Sequence, residues 1–114
     1  MPLDVFDRIF RPLRRGPATS RYPDVPPDLP PTARGLPEFD PARCDGNAAC
    51  VAACPTAAIR VAAPTWSLDV GACIFCGACE RVCPTGAIRL GDRIELAAEN
   101  REDLLVRHTR RALP

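Results

Sequence analysis

The sequence predicts a small α+β protein in which one structural unit occurs twice. Two observations support this prediction. Three cysteines recur at a constant offset of 29 residues, and the residues after the last cysteine of each set are repeated: Cys-Pro-Thr-Ala-Ala-Ile-Arg at 54–60 and Cys-Pro-Thr-Gly-Ala-Ile-Arg at 83–89. An alternation of apolar residues and arginine follows each repeat, so each unit should contain a cysteine loop, a short helix and a hairpin. The recurring cysteines are Cys44, Cys50 and Cys54 in the first unit and Cys73, Cys79 and Cys83 in the second.

Composition divides the 114 residues into four predicted segments. Residues 1–15 carry apolar side chains at helical spacing and are expected to form an amphipathic docking helix, with Pro12 distorting or ending its last turn. Residues 16–43 contain eight prolines and should form an extended arm. Residues 44–97 hold the duplicated domain, with hairpin strands returning through Leu68 and Val70 in one unit and Ile94 and Leu96 in the other. Residues 98–114 are charged and are expected to form a helical tail.

Three residues or faces outside the cysteine motifs have competing interpretations. The apolar face of residues 1–15 could pack on the domain, lie at a membrane interface or bind a partner subunit, and docking is favoured because the proline arm separates it from the domain. His108 is expected to be a solvated residue of the tail helix, and Trp66 is expected to serve packing.

Composition also excludes several classes of protein. The formal net charge of +1 gives no reason to expect nucleic-acid binding. No apolar run approaches the roughly 20 residues of a membrane span, and acidic residues interrupt the N-terminal segment, which therefore does not resemble a signal peptide. Seven cysteines in such a chain predict a reducing, cytoplasmic setting and metal binding. No activated nucleophile, dinucleotide fingerprint or His–carboxylate pair is evident, so the chain is expected to be redox-active without being catalytic.

The second cysteine motif is complete and indicates an iron–sulfur cluster. It reads Cys73-x2-Cys76-x2-Cys79-x3-Cys83-Pro, the spacing of bacterial ferredoxins, in which the fourth cysteine ligates the other cluster. Small residues between the ligands let the loop wrap closely and leave backbone N–H groups free to bond sulfur. The motif predicts a duplicated bacterial-ferredoxin fold. Its first site, called site B, would hold a 4Fe–4S cluster on Cys54, Cys73, Cys76 and Cys79.

The other predicted site, called site A, lacks a usual ligand. It would use Cys44, Cys50 and Cys83, but the position 29 residues before Cys76 is Asn47. An amide is a weak neutral ligand, so three outcomes remain open. The site holds a 3Fe–4S cluster, or a 4Fe–4S cluster whose fourth iron is bound by Asn47, water, hydroxide or Asp45, or no cluster at all. A missing thiolate changes the charge of the site, so the two sites should differ in reduction potential.

Zinc and disulfides are the alternative uses of spaced cysteines. Structural zinc usually takes its four ligands as pairs from two knuckles, whereas here three ligands lie on one loop and the whole unit is duplicated. A secreted disulfide framework would favour an even number of cysteines. Iron–sulfur chemistry is therefore the favoured interpretation.

Several segments resemble one family of iron–sulfur subunits. The motif at 73–79 with Cys-Pro-Thr at 83–85, and Glu-Leu-Ala at 95–97 with Arg-Glu-Asp-Leu at 101–104, resemble the two-cluster ferredoxin-like subunit of respiratory complex I and its hydrogenase relatives. Arg-Tyr-Pro at 21–23 and Arg-Gly-Leu-Pro-Glu at 34–38 resemble the arm of that subunit in formate hydrogenlyase-type, group 4 nickel–iron hydrogenases.

The resemblance implies a bound electron relay. Such a subunit passes electrons between an electron-input subunit and the hydrogenase small subunit, or its complex I-like counterpart. It lies on the cytoplasmic side of the inner membrane, peripherally associated through the complex, and its N-terminal segment contacts membrane-arm subunits. Family members carry cysteine where this chain has Asn47. The alternative is a free soluble ferredoxin that carries electrons between soluble enzymes, which the near-neutral charge disfavours because free carriers are often acidic.

Overall fold

The computed structural model describes residues 2–110, with side chains from residue 4 onward, and divides into two compact units, 1–30 and 31–114. The first unit contains helix α1, Pro2–Arg15. Its apolar face is exposed, from 46% at Phe10 to 76% at Leu13. The helix continues three residues beyond Pro12, so this proline does not end it. The N–H that proline lacks would have bonded on an exposed face, where water can bind the freed carbonyl. No helix among residues 2–110 is long and apolar enough to cross a membrane.

The second unit is a mixed α/β domain with two antiparallel sheets. Its elements are β1 (Pro37–Phe39), α2 (Ala49–Ala53), β2 (Ile59–Ala62), β3 (Thr65–Asp69), α3 (Ala78–Val82), β4 (Ile88–Leu90), a 3-10 turn (Arg101–Leu104) and β5 (Leu105–Thr109). One sheet pairs β1 with β4, and the other has the order β2-β3-β5. Their inward faces form one core of Phe39, Ala58, Ile59, Trp66, Leu68, Val70, Ala87 and Ile88.

The predicted helical tail is wrong, because its ordered part is a strand. β5 pairs antiparallel with β3 from Thr65↔Thr109 to Asp69↔Leu105. Burial alternates along it as in a strand: Val106 and His108 are partly buried, whereas Arg107 and Thr109 are exposed. Without β5 the outer edge of β3 would be unpaired, so pairing outweighs the weak helical pattern. His108 accordingly lies in a strand beside aromatic rings, its centroid 5.6 Å from that of Phe39, and is not a solvated helix residue.

The second predicted hairpin is also different in the structure. The segment with Ile94 and Leu96 forms no strand, and Ile94 is 46% exposed. β4 instead pairs with β1, which comes from the proline-rich segment, in the register Pro37↔Leu90 and Phe39↔Ile88. Proline is tolerated here because it begins a strand of a two-stranded sheet. The compact unit therefore extends beyond the predicted domain 44–97 on both sides.

Candidate iron–sulfur sites

Four cysteines surround a cavity of about 350 Å3 at one end of the two sheets. Cys73, Cys76 and Cys79 come from the second loop, and Cys54 reaches the cavity from the first unit. The remaining wall is mostly apolar and includes Pro37, Ile59, Leu68, Ile74, Phe75 and Leu90. These are the four cysteines that the sequence groups as site B.

A second cavity of about 350 Å3 contains the other three cysteines. Cys44 and Cys50 belong to the first loop, and Cys83 comes from the second unit. Asn47 lines the same cavity, at the position that the offset predicts. Its wall also includes Phe39, Val61, Trp66, Ala87 and Ile88. This is the grouping that the sequence assigns to site A.

The backbone of the two loops repeats at the same offset as the sequence. Three pairs of residues, each separated by 29 positions, all adopt positive φ: Gly46 and Phe75, Ala48 and Gly77, Ala57 and Gly86. Ala48 and Gly77 immediately precede the two short helices. Left-handed residues turn the chain sharply, which curls each loop around its cavity. At Ala48, Ala57 and Phe75 a side chain accepts this conformation at a cost of about 1 kcal/mol or more.

The helices position the remaining cysteines in the same repeated way. Cys50 and Cys79 are each the second residue of a short helix, α2 and α3. Cys54 and Cys83 end those helices in extended conformation, with φ and ψ of −72° and 114° in one and −73° and 111° in the other. A proline follows each and cannot continue the helix. The chain therefore turns away, and the last cysteine of each unit lines the cavity of the other unit.

Backbone and hydroxyl groups bond the cysteine sulfurs. Ala58 N–H donates to Cys54 Sγ at 3.2 Å, and Ala87 N–H donates to Cys83 Sγ at 3.3 Å. Phe75 N–H similarly bonds Cys73 Sγ at 3.4 Å. Hydroxyl contacts add to the first two, from Thr56 Oγ1 at 3.6 Å and Thr85 Oγ1 at 3.5 Å.

The thiol pKa values divide according to burial and hydrogen bonding. Burial raises the pKa of Cys50, Cys73 and Cys79. Burial also acts upward on Cys54 and Cys83, but hydrogen bonds from their threonines and from backbone N–H groups outweigh it, so the pKa of both thiols is lowered. The crossing cysteines are thus stabilised as thiolates, the form that binds metal.

Arginines place positive charge beside both loops. At site B, Arg34 and Arg81 both donate to the carbonyl oxygen of Cys76, at 3.3 and 3.1 Å. At site A, the guanidinium of Arg110 occupies the space where a side chain on Gly46 would begin. The sequence analysis missed these residues because contacts that span 42 or more positions leave no local pattern.

Asn47 forms a local turn in the site A loop. Its side-chain Oδ1 accepts a hydrogen bond from Ala49 N–H at 3.0 Å, and its own backbone N–H donates to Asp45 Oδ1 at 3.1 Å. The amide oxygen, the atom that could ligate iron, is therefore already engaged with the loop.

The donor chemistry fits iron–sulfur clusters in both cavities. Each combines sulfur ligands, apolar walls and N–H groups directed at sulfur, the surroundings that such clusters have in proteins. Among the described residues, no group of three or more His, Cys, Asp or Glu could hold a single metal ion. Trp66, expected to serve packing, does so at 2% exposure but also lines site A, which no sequence signal predicted.

Comparisons with known proteins agree with this chemistry. The 4Fe–4S binding domain family matches residues 67–89, which contain the complete second motif. Formate hydrogenlyase subunit 6 of Escherichia coli (strain K12) is 44% identical over 107 residues, covering 89% of this chain and 59% of that protein. The chain is an iron–sulfur protein related to subunits of hydrogenase-like membrane complexes. The predicted resemblance is thereby confirmed.

A solved structure supports the same relationship. The chain is similar to part of the membrane-bound sulfane sulfur reductase, an archaeal respiratory membrane complex, with a TM-score of 0.68 and 30% identity over 84% of this chain and 55% of that one. The chain thus spans somewhat more than half the length of the relatives it matches. Both relatives are parts of complexes.

Proposed function

We propose that this chain is a two-cluster electron relay within a membrane-associated, hydrogenase-like complex. The observation that carries the proposal is the pair of cysteine-lined cavities, each completed by one cysteine from the opposite unit. A 4Fe–4S cluster at site B would bind Cys54, Cys73, Cys76 and Cys79. The duplicated bacterial-ferredoxin fold then describes residues 44–96, with β1 and β5 as additions.

At site A we propose a cluster on three thiolates, from Cys44, Cys50 and Cys83. The contact of Asn47 Oδ1 with Ala49 N–H favours Asn47 as a loop-shaping residue over an iron ligand. This supports a 3Fe–4S cluster over an incompletely thiolate-ligated 4Fe–4S cluster. Oxidised 3Fe–4S clusters are paramagnetic whereas oxidised low-potential 4Fe–4S clusters are not, so EPR of the oxidised protein distinguishes them.

The clusters would supply one-electron redox chemistry, and the chain would hold them close together. In each sheet one pair of residues faces site B and the next pair on the same face lines site A. In the first sheet these pairs are Pro37↔Leu90 and Phe39↔Ile88, and in the second they are Ile59↔Leu68 and Val61↔Trp66. Two residues along a strand span roughly 7 Å. The sites are therefore neighbours across an apolar core that excludes water, an arrangement suited to electron transfer between them.

The relatives indicate the setting of the relay. We propose that the chain receives electrons from, or passes them to, a cluster-bearing hydrogenase small subunit or its complex I-like counterpart, with an electron-input subunit at the other end. The exposed apolar face of α1 would bind membrane-arm subunits and keep the protein peripherally associated with the inner membrane, on its cytoplasmic side. The chain itself would catalyse no reaction.

Purification of the tagged full-length chain from its native membranes tests this proposal. We expect it to copurify with cluster-bearing and integral membrane subunits, and the substrate of that complex should reduce both of its clusters. A Cys73→Ser variant should still assemble but should interrupt electron flow between the two ends of the complex. An Ile74→Ala variant, which changes an exposed neighbour in the same loop, is the control. Recovery of the chain only as a soluble monomer would instead support the free ferredoxin and refute the relay.

A further inference from the structure

The indole N–H of Trp66 is a buried donor without a protein acceptor. Trp66 is 2% exposed, and among residues 2–110 no group accepts a hydrogen bond from its Nε1 at bonding distance. Buried polar groups are nearly always hydrogen-bonded, so an unpaired one calls for a physical explanation. The nearest explanation is the cavity of site A, whose wall includes this residue.

The surrounding packing fixes the orientation of the indole ring. Trp66 lies on the central strand β3, paired with Val61 on one side and His108 on the other. Its ring stacks on Phe39, with centroids 4.3 Å apart and planes within 1°. The His108 ring covers it at 6.0 Å. The ring therefore cannot turn its N–H toward solvent, and the donor stays directed by the core.

The acceptor that this donor fits is electron-rich sulfur at site A. Cys50 lines the same cavity, and the nearby indole N–H opposes the rise that burial causes in the pKa of its thiol. Site B has no equivalent donor: the residue 29 positions after Trp66 is Glu95, which does not line that cavity. The two sites thus differ in this hydrogen bond as well as in the number of thiolates.

We propose that Trp66 is a positioning residue for site A, whose indole N–H donates to cluster sulfur there, either Cys50 Sγ or an inorganic sulfide. Such bonds stabilise the more negative, reduced state and raise the reduction potential. The proposal rests on the proposed function, since it requires a cluster at site A.

Two measurements on the full-length, cluster-loaded protein test this role. The first is redox-titrated EPR of a Trp66→Phe variant, which keeps an aromatic ring but removes the donor. The midpoint of site A should fall, while that of site B stays unchanged as an internal control for folding. A merely structural effect would admit water and move the midpoint upward. Val61→Ala, which loosens the same wall and keeps the donor, measures that effect and should not lower the midpoint.

The second measurement needs no variant. Trp66 is the single tryptophan, so indole-15N labelling marks one ring nitrogen in the whole chain. In the redox state where site A is paramagnetic, ENDOR should detect coupling to this 15N and to its exchangeable proton.

The outcomes separate the two proposals. Two loaded sites with an unchanged or raised site A midpoint in Trp66→Phe, or with no 15N coupling, would overturn the role of Trp66 and leave the relay intact. If the variant loses its clusters, the 15N coupling in the wild-type protein decides. A site A that binds no iron in the wild-type protein would overturn both.

Discussion

Two threonines provide a mild test of the crossed arrangement of the sites. Thr56 Oγ1 lies 3.6 Å from Cys54 Sγ, and Thr85 Oγ1 lies 3.5 Å from Cys83 Sγ. Each threonine follows the cysteine that is proposed to serve the opposite unit's cluster. Substitution by valine removes the hydroxyl and keeps the branched shape. Thr56→Val should therefore lower the potential of site B alone, and Thr85→Val should lower that of site A alone.

The expected shift follows from the strength of one hydrogen bond. A bond to a charged group contributes about 1.5–3 kcal/mol when water cannot replace it. Both threonines are exposed, so water recovers part of this, and about 1 kcal/mol remains as the difference between redox states. For a one-electron couple a tenfold change corresponds to 59 mV and to about 1.4 kcal/mol, so each variant should lower one midpoint by about 40 mV.

Redox-titrated EPR of the two variants measures both midpoints in each protein. The two substitutions are chemically identical, so each variant is the control for the other. The crossed assignment would be contradicted if Thr56→Val shifted the signal that Cys44→Ser abolishes, since Cys44 belongs to site A. Equal shifts of both sites in both variants would show that the hydroxyls act through the whole domain.

Three further substitutions test other parts of the structure. Gly35→Ala should destabilise the domain by about 1–3 kcal/mol, because its Cβ would lie 2.7 Å from rigid backbone carbonyl oxygens; Gly71→Ala meets a flexible arginine side chain instead and should be milder in the same thermal melt. Val106→Ser should cost about 1–2 kcal/mol in denaturant unfolding, whereas Arg107→Ser should be near neutral, because only the former faces the core; equal costs would contradict the strand β5. Asn47→Cys should abolish the oxidised-state EPR signal of site A and add about one iron per chain, whereas Asn47→Ser should do neither.

The candidate sites could be predicted from the sequence because their chemistry is local and repeated. Three of the four proposed ligands of site B lie within one loop of seven residues, and the 29-residue offset supplied the partner from the other unit. The same offset is found in the backbone, where Gly46 and Phe75 share a positive φ that no single residue type would predict. Thr56 and Thr85 were visible in the repeat, but their contact with sulfur depends on the bend after each helix.

The outer strands could not be predicted because they pair across long stretches of sequence. β1 and β4 are separated by some fifty residues, and the proline content of the arm argued against any strand there. β5 has a charged, helix-like composition, yet it occupies the free edge of β3. In both cases an unpaired edge of the ferredoxin-like core selected the partner, and that edge exists only once the core has formed.

These added strands also bring the asymmetry between the sites into the core. β1 supplies Phe39 and β5 supplies His108, and together the two rings hold Trp66 against site A. Site B receives its extra polar contacts differently, from Arg34 and Arg81 on the Cys76 carbonyl. The two units keep the same cysteine geometry, but the segments outside the repeat give each site different hydrogen-bond donors. If the sites differ in potential, the loss of one thiolate at Asn47 is therefore only one of the causes, and Asn47→Cys alone should not make the two midpoints equal.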